Sequence, residues 1–299
     1  MLPGLITSAQ SGFFTVTTPQ ADLVCTLRGH LKQKSRKGDL AAIGDRVLVR
    51  QTEAERGVIY EVEPRQSLIA RQAPTPRGEY QQIIIANPDQ IIYVFACSQP
   101  EPRMRMLDRF LVIAEKQNIP AAIVANKVDL VGLENACQHF DHYQPLGYRV
   151  FYTSTRTRIG IDELHGYLID KISAFAGPSG VGKSSLLNVI QPGLGLTVQQ
   201  TSASTSKGRH TTVASRLIRL DVGGFVADTP GLRSLALWDI EAEELDGYFP
   251  EIKPLVSQCQ FNDCTHITEP GCAVRKAVEK QAIHPARYDS YVRLRQGEN

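Results

Sequence analysis

One stretch of eight residues, Gly177-Pro178-Ser179-Gly180-Val181-Gly182-Lys183-Ser184, constrains this chain more than any other. It fits the phosphate-binding loop pattern GxxxxGK[ST], which works only between a buried strand and a helix. The flanks supply both. The apolar run Ile172 to Ala176 comes before it, and a helical run from Ser185 to Ile190 comes after. Glycines at these spacings let successive backbone N–H groups converge on phosphate oxygens at a helix N-terminus, where the peptide dipoles favour anions. In that setting Lys183 neutralises the β- and γ-phosphates, and the Ser184 hydroxyl ligates magnesium.

The base-reading element decides which nucleotide is bound. Asn126-Lys127-Val128-Asp129 ends the apolar run Ala121 to Ala125. That places it at the carboxyl edge of a parallel strand, where such sheets hold ligands. There the Asp129 carboxylate can accept hydrogen bonds from both N1–H and the exocyclic amine of guanine, a pair that adenine lacks. Thr153-Ser154-Thr155 follows another short apolar run, and Ser154 falls where a loop would back the base.

Two further segments complete the expected phosphate site. Asp228-Thr229-Pro230-Gly231 follows Gly224 to Ala227, so Asp228 stands at a strand end to hold magnesium through water, with the Gly231 amide facing the γ-phosphate. The stretch Lys207 to Thr212 lies between the loop helix and Asp228, where a switch segment donates a threonine to magnesium. Both Thr211 and Thr212 are candidates. Leu232 follows Gly231, at the position where small GTPases carry a water-orienting glutamine, and leucine cannot orient water. Unassisted hydrolysis is therefore expected to be slow, with His210 or a partner's group positioning the water. The guanine motif precedes the phosphate loop, the reverse of the common order, so the expected GTPase sheet is circularly permuted.

The rest of the chain suggests two flanking modules. From Leu5 to Val62, short alternating runs at Gly12–Val16, Leu23–Leu27, Gly44–Val49 and Gly57–Val62 indicate a small antiparallel barrel of the OB type. The basic cluster His30, Lys32, Lys34, Arg36 and Lys37 falls between two of these runs, as in barrels that bind RNA through their loops. Arg287, Arg293 and Arg295 form a second basic group, whose plain alternative is a solvated helix face. Residues 63 to 82, with Pro64, Pro74 and Pro76, are expected to form a linker. Near the C-terminus, Cys259, Cys264, His266 and Cys272 offer three thiolates and one imidazole, the closed donor set of a structural zinc site. The expected division is 1–68 OB-fold RNA-binding barrel, 69–240 permuted GTPase and 241–299 helical zinc module. A net charge of +2 is too small to argue for nucleic acid without this clustering. No apolar run approaches the roughly 20 residues of a membrane span, and no leader pattern opens the chain, so a cytoplasmic home is expected. A monomer is expected because a permuted GTPase of this form needs no dimer to complete its site.

Taken jointly, these residues resemble the ribosome small-subunit-dependent GTPase A (RsgA) family. The likeness runs through Asn87-Pro88-Asp89-Gln90, Leu107-Asp108-Arg109, Asn126 to Asp129, Gly177 to Ser185, Arg209 to Thr212, Asp228 to Gly231 and the Cys/His cluster. Pro88, Ala125 and Thr155 depart from the family pattern. The resemblance implies GTP and GDP as ligands, with Mg2+ and one structural Zn2+. It also implies the small ribosomal subunit and its rRNA as partners, late subunit assembly as the process, and turnover stimulated by the subunit. The rival readings are a GTPase of another ribonucleoprotein and an RNA-binding module that holds GTP only as a ligand.

Overall fold

The computed structural model describes residues 1–29, 31, 39–75, 78–196, 216–228 and 240–298. Strands β1 (Leu2–Gln10), β2 (Phe13–Thr17), β3 (Asp22–Leu27), β4 (Arg46–Glu53) and β5 (Arg56–Val62) run in the order β1-β2-β3-β5-β4 and close where β4 pairs back onto β1. Only β3 and β5 are parallel in this ring, which is the OB-type topology. Alternation explains the closure: Ile6, Val16, Leu23, Val47, Val49 and Ile59 all point inward and form one core. The basic segment 30–37 lies outside the described residues apart from Leu31.

The expected linker is corrected. Residues 68 to 86 form an antiparallel ribbon of β6 (Leu68–Thr75) and β7 (Gly78–Ala86). Pro74 sits near the ribbon's far end, where an edge strand tolerates a missing N–H. Asp39 ties the barrel to this ribbon, and Asp45 holds the segment that leads into it. The Asp39 carboxylate accepts from Ile83 N at 2.8 Å and Tyr80 Oη at 2.7 Å, and Arg65 Nε donates to Asp45 at 2.7 Å.

The α/β part follows as β8 (Gln90–Ala96), α1 (Met104–Lys116), β9 (Ala121–Asn126), α2 (Leu133–Phe140), β10 (Arg149–Thr153), α3 (Ile161–Leu168), β11 (Ile172–Ala176), α4 (Lys183–Ile190), β12 (Arg216–Arg219) and β13 (Phe225–Asp228). The order β10-β9-β8-β11-β13 is parallel, and β12 lies antiparallel at its edge. Every residue of β8 is buried, as a strand covered on both faces requires. Ile91, Tyr93 and Phe95 pack toward α1, and Ile92, Val94 and Ala96 toward α3 and α4. At Ser8 and Arg216 the barrel edge meets β12, which merges barrel and α/β part into one sheet of 11 strands.

The C-terminal part is helical, with 3-10 turns at Ala242–Tyr248 and Lys253–Gln258, then α5 (Ala273–Glu279) and α6 (Pro285–Arg295). Its second basic group is not a uniformly solvated helix face, because Arg287 is buried while Arg293 and Arg295 stay partly exposed. Arg287 is 1% exposed, Arg293 pairs with Asp289 and Glu298, and Arg295 donates to the Ala242 carbonyl. The Arg287 guanidinium bonds Asp108 of α1 and Glu251, each at 2.7 Å, and stacks on Phe249. Asp108 also accepts from Tyr143 and Ser290, so the buried charges are paired and hydrogen-bonded on every side. Among the described residues no helix is long and apolar enough to cross a membrane.

Beside this junction the rings of His142 and His284 stack with centroids 4.1 Å apart, and His142 Nδ1 is buried without a hydrogen bond. Burial first, then the neighbouring His284 and Arg287, push the His142 imidazole down from 6.5 to about 4.

Two outcomes are expected here. Arg287→Ala strands the Asp108 and Glu251 carboxylates and should cost about 3–5 kcal/mol in urea unfolding. For His142, the unfolded chain takes up its proton near 6.5 and the folded one only near 4, so its share of stability is present above 6.5 and lost as pH falls through that window. His142→Phe should therefore show a smaller drop in urea midpoint than the wild type between neutral pH and about pH 5.

Candidate nucleotide site and metal centre

The loop 177–182 leaves β11 at the carboxyl edge of the sheet and feeds into α4. Two of its glycines have no substitute. A Cβ on Gly177, where φ is +141°, would lie 2.1 Å from the Val94 carbonyl oxygen. On Gly182, where φ is +95°, it would lie 2.5 Å from Asn126 Nδ2. The loop is thus wedged against β8 and against the end of β9, and α4 starts at Lys183 with its first-turn N–H groups aimed out of the sheet edge. Lys183, 8% exposed, lays its ammonium across the loop and donates to the Gly177 and Pro178 carbonyls at 2.8 and 2.6 Å. Ser179, Gly180 and Val181 form the bend, and Ser184 and Ser185 occupy the first turn of α4.

The base-reading residues join this loop through side-chain bonds. Asn126 Nδ2 donates to Val181 O at 2.8 Å, and Asn126 Oδ1 accepts from Thr153 Oγ1 at 3.0 Å. Lys127 adopts a left-handed backbone, φ +64°, which turns its Nζ back to donate to Gly180 O at 2.7 Å and to Gln99 O. Burial lowers the Lys127 pKa, and the Asp129 charge opposes that shift. Asp129 Oδ1 accepts from Ser154 Oγ at 2.6 Å, and Ser154 Oγ in turn accepts from the Arg156 and Thr157 amides. A carboxylate with one oxygen held this way keeps its other oxygen and remaining lone pairs for two N–H donors on a shared edge.

Asp228 ends β13 beside Phe175, one residue short of the end of β11, so its backbone stands next to the loop's entry. His210, Thr211, Thr212, Gly231 and Leu232 lie outside the described residues. The site therefore gathers Asn126, Lys127, Asp129, Ser154, the loop 177–185 and Asp228 on one edge. Thr153, next to Ser154 in the expected base-backing segment, belongs there through its bond to Asn126, and so does the Gln99 carbonyl, which no motif marked. Only pairing β10 with β9 in register brings Thr153 against Asn126.

In the C-terminal part Cys259, Cys264, His266 and Cys272 keep their ligand atoms within 4.8 Å of one another. The Cys259 and Cys272 sulfurs are 4.0 Å apart, and each lies 3.5 Å from His266 Nδ1. Bond lengths of about 2.3 Å to sulfur and 2.0–2.1 Å to nitrogen in a tetrahedron need edges of about 3.8 and 3.6 Å. The donor set fits zinc in both chemistry and span. The Ala273 amide donates to Cys259 Sγ at 3.4 Å and the Arg275 amide to Cys272 Sγ at 3.5 Å, contacts that favour the thiolates. Behind the imidazole, the Asp246 carboxylate lies 3.4 Å from His266 Nε2, the nearest acceptor for the ring nitrogen that faces away from the sulfurs, although no hydrogen bond forms. Glu269 accepts from Thr265 and from the Ile267 and Thr268 amides, which pins the turn between the ligands. Burial alone would raise its pKa, but these donors outweigh it and hold the carboxyl down at about 2.

Comparison with known proteins agrees with this geometry. A family profile described as RsgA N-terminal domain matches residues 3–59, and one described as RsgA GTPase matches 62–238. The small ribosomal subunit biogenesis GTPase RsgA of Gemmatimonas aurantiaca is 46% identical over 98% of this chain and 96% of its own. The RsgA of Moorella thermoacetica is 41% identical over 97% and 95%. The crystal structure of YjeQ from Thermotoga maritima superposes with a TM-score of 0.81 at 37% identity, covering 99% of this chain and 98% of that one. YloQ, a circularly permuted GTPase, superposes with a TM-score of 0.78 at 33% identity, covering 100% and 95%. These matches run along almost the whole length, and the chain belongs to the RsgA family of GTPases.

Proposed function

We propose that this GTPase binds the small ribosomal subunit through its rRNA, acts late in that subunit's assembly, and hydrolyses GTP to GDP and phosphate with turnover stimulated by the subunit. The observation that carries this reading is the bond from Asn126 to the Val181 carbonyl, which locks the guanine reader to the phosphate loop. The relatives named for small-subunit biogenesis supply the partner.

In this reading Asp129 accepts the guanine N–H pair, Ser154 orients Asp129, and Asn126 and Lys127 hold the loop beneath the nucleotide. Ser179 to Gly182 present amides to the phosphates, Gly177 gives the loop its close approach to β8, Pro178 has no N–H to offer, and Ser185 contributes to the first turn of α4. Lys183 moves its ammonium from the loop carbonyls to the β- and γ-phosphate oxygens, neutralising charge that builds as the terminal bond breaks. Mg2+ would be held by Ser184, by Asp228 through water and by Thr211 or Thr212, and would supply charge neutralisation between the β- and γ-phosphates. By its place in the Asp228 to Gly231 motif, Gly231 would offer its amide to the γ-phosphate. Water attacks in line with the leaving GDP oxygen, and Leu232 leaves its positioning to His210 or to a group on the subunit. Zinc held by Cys259, Cys264, His266 and Cys272 is structural, because four protein donors leave no position for water. We assign 1–68 to the RNA-binding barrel, 69–240 to the GTPase and 241–299 to the zinc module, and a cytoplasmic monomer to the working state.

The test is GTP hydrolysis by the purified protein alone and with saturating small subunits. A slow basal rate rising by orders of magnitude with GTP and small subunits, but not with ATP, large subunits or Lys183→Ala, is the expected result. Absence of stimulation by small subunits would refute the partner. For the metal, one zinc per chain is expected by elemental analysis, and Asp246→Ala should weaken zinc retention about 10–100-fold against a chromophoric chelator. Equal retention by the variant would remove Asp246 from the site.

A further inference from the structure

The outer face of the barrel carries a side-chain arrangement that the nucleotide chemistry does not use. Tyr60 of β5 lies between two guanidinium groups, with the Cζ atoms of Arg28 and Arg50 each 4.6 Å from its ring centroid. Arg28 follows β3 and Arg50 belongs to β4, and these strands flank β5, so the arginines approach the ring from opposite sides. Both arginines are exposed, and neither forms a hydrogen bond through its side chain or an ion pair with another described residue. Glu61, the carboxylate next along β5, pairs with neither of them. The register extends the face: Phe13 pairs with Thr26, Thr26 with Val58, and Val58 with Arg50. Phe13, on this row, is 58% exposed, and Val24 beside it is 49% exposed.

Two cations without counterions among the described residues, an exposed aromatic ring and the open outer face of a barrel are the parts of a platform for unpaired nucleotides. We propose that this face, across β2, β3, β5 and β4, binds a single-stranded or looped RNA segment, with Arg28 and Arg50 on phosphates and Phe13 stacked on a base. Tyr60 acts as the spacer. Stacking both guanidinium planes on its ring fixes their separation and leaves their N–H edges outward for phosphate oxygens, so less freedom is lost on binding. Three strand spacings of about 4.8 Å separate the strand of Phe13 from that of Arg50, a span that suits a short segment of a few unpaired nucleotides. Duplex RNA offers no unstacked base to Phe13, so the face discriminates against it.

The proposal rests on the RNA-binding part of the reading above but places the contact on named strands and limits it to unpaired RNA. It is tested with the full-length protein and a fluorescein-labelled 12-nucleotide RNA, as single strand and as duplex, read by anisotropy over a salt series. Thermal unfolding confirms that each variant is folded. Arg28→Ala/Arg50→Ala should weaken single-strand binding about tenfold or more and lower the salt slope by about 1.4. Phe13→Ala should cost about fivefold or more without changing the slope. Tyr60→Phe, which keeps the stack, should bind as the wild type does, and Tyr60→Ala should not. Unchanged single-strand affinity, or equal losses for strand and duplex, would overturn the proposal. So would variants that lose small-subunit binding while keeping oligonucleotide affinity, since the face would then take a protein. If the wild type binds the oligonucleotide on this face but is not stimulated by subunits, the partner assignment fails and this inference stands.

Discussion

The close approach of the phosphate loop to β8 and to the end of β9 is the constraint on which the rest of this molecule depends. Neither Gly177 nor Gly182 has room for a Cβ, because a carbonyl of β8 and the amide of Asn126 stand where one would go. The contact is possible only at the place in the sheet where the chain reverses direction. From β8 it winds outward through β9 to β10, then returns across the sheet to β11 and β13 on the other side. Open parallel sheets form a crevice at such a switch, at the carboxyl ends of the two diverging strands. The phosphate loop follows the strand on one side of β8, and the guanine reader follows the strand on the other. Circular permutation changes which strand is entered first and leaves this crevice intact, because strand adjacency and direction decide it.

A second constraint ties the helical C-terminal part to the same sheet. Arg287 lies wholly inside the protein, and a buried charge is tolerated only when its desolvation is offset by several well-placed partners. It has Asp108 and Glu251 as counterions and aromatic rings beside its plane. Asp108 lies on α1, the helix that follows β8, with Leu107, Phe110 and Leu111 of that helix packed on the sheet. Val112 of α1 faces the other way, into the cluster of Phe249, Ile252 and Tyr291. One helix therefore belongs to two cores.

How much of this was legible in the sequence depended on whether the deciding contacts were local. The phosphate loop, Asn126 to Asp129 and the Cys/His cluster are short patterns whose chemistry is written in adjacent residues, and each lies where strand and helix periodicity put it. The ribbon at 68–86 was misread as a linker because its prolines and arginines mask the alternation of a two-stranded element whose buried face is small. Strand β1 was not resolved from its neighbours for a similar reason, with Pro3 and Gly4 near its start. Arg287 was misread because α6 carries charged residues around much of its circumference, so no stripe tells which arginine points inward. Its partner Asp108 is 179 residues away, and Asp246 behind His266 belongs to an unremarkable acidic turn.

These two constraints together limit how the C-terminal part can respond to events in the crevice. The ion pairs at Arg287 are short, dry and directional, and such contacts have discrete arrangements rather than a continuous range. A small rotation of α6 against α1 would strand a carboxylate before it formed anything in exchange, at a cost comparable to a sizeable fraction of a domain's net stability. Any motion transmitted from the nucleotide edge must then carry α1 and the helical part together. Between β8 and α1 the chain crosses residues 97–103, which include the Gln99 carbonyl that Lys127 holds. That segment is therefore the described element through which the guanine-reading motif touches the path to α1 directly.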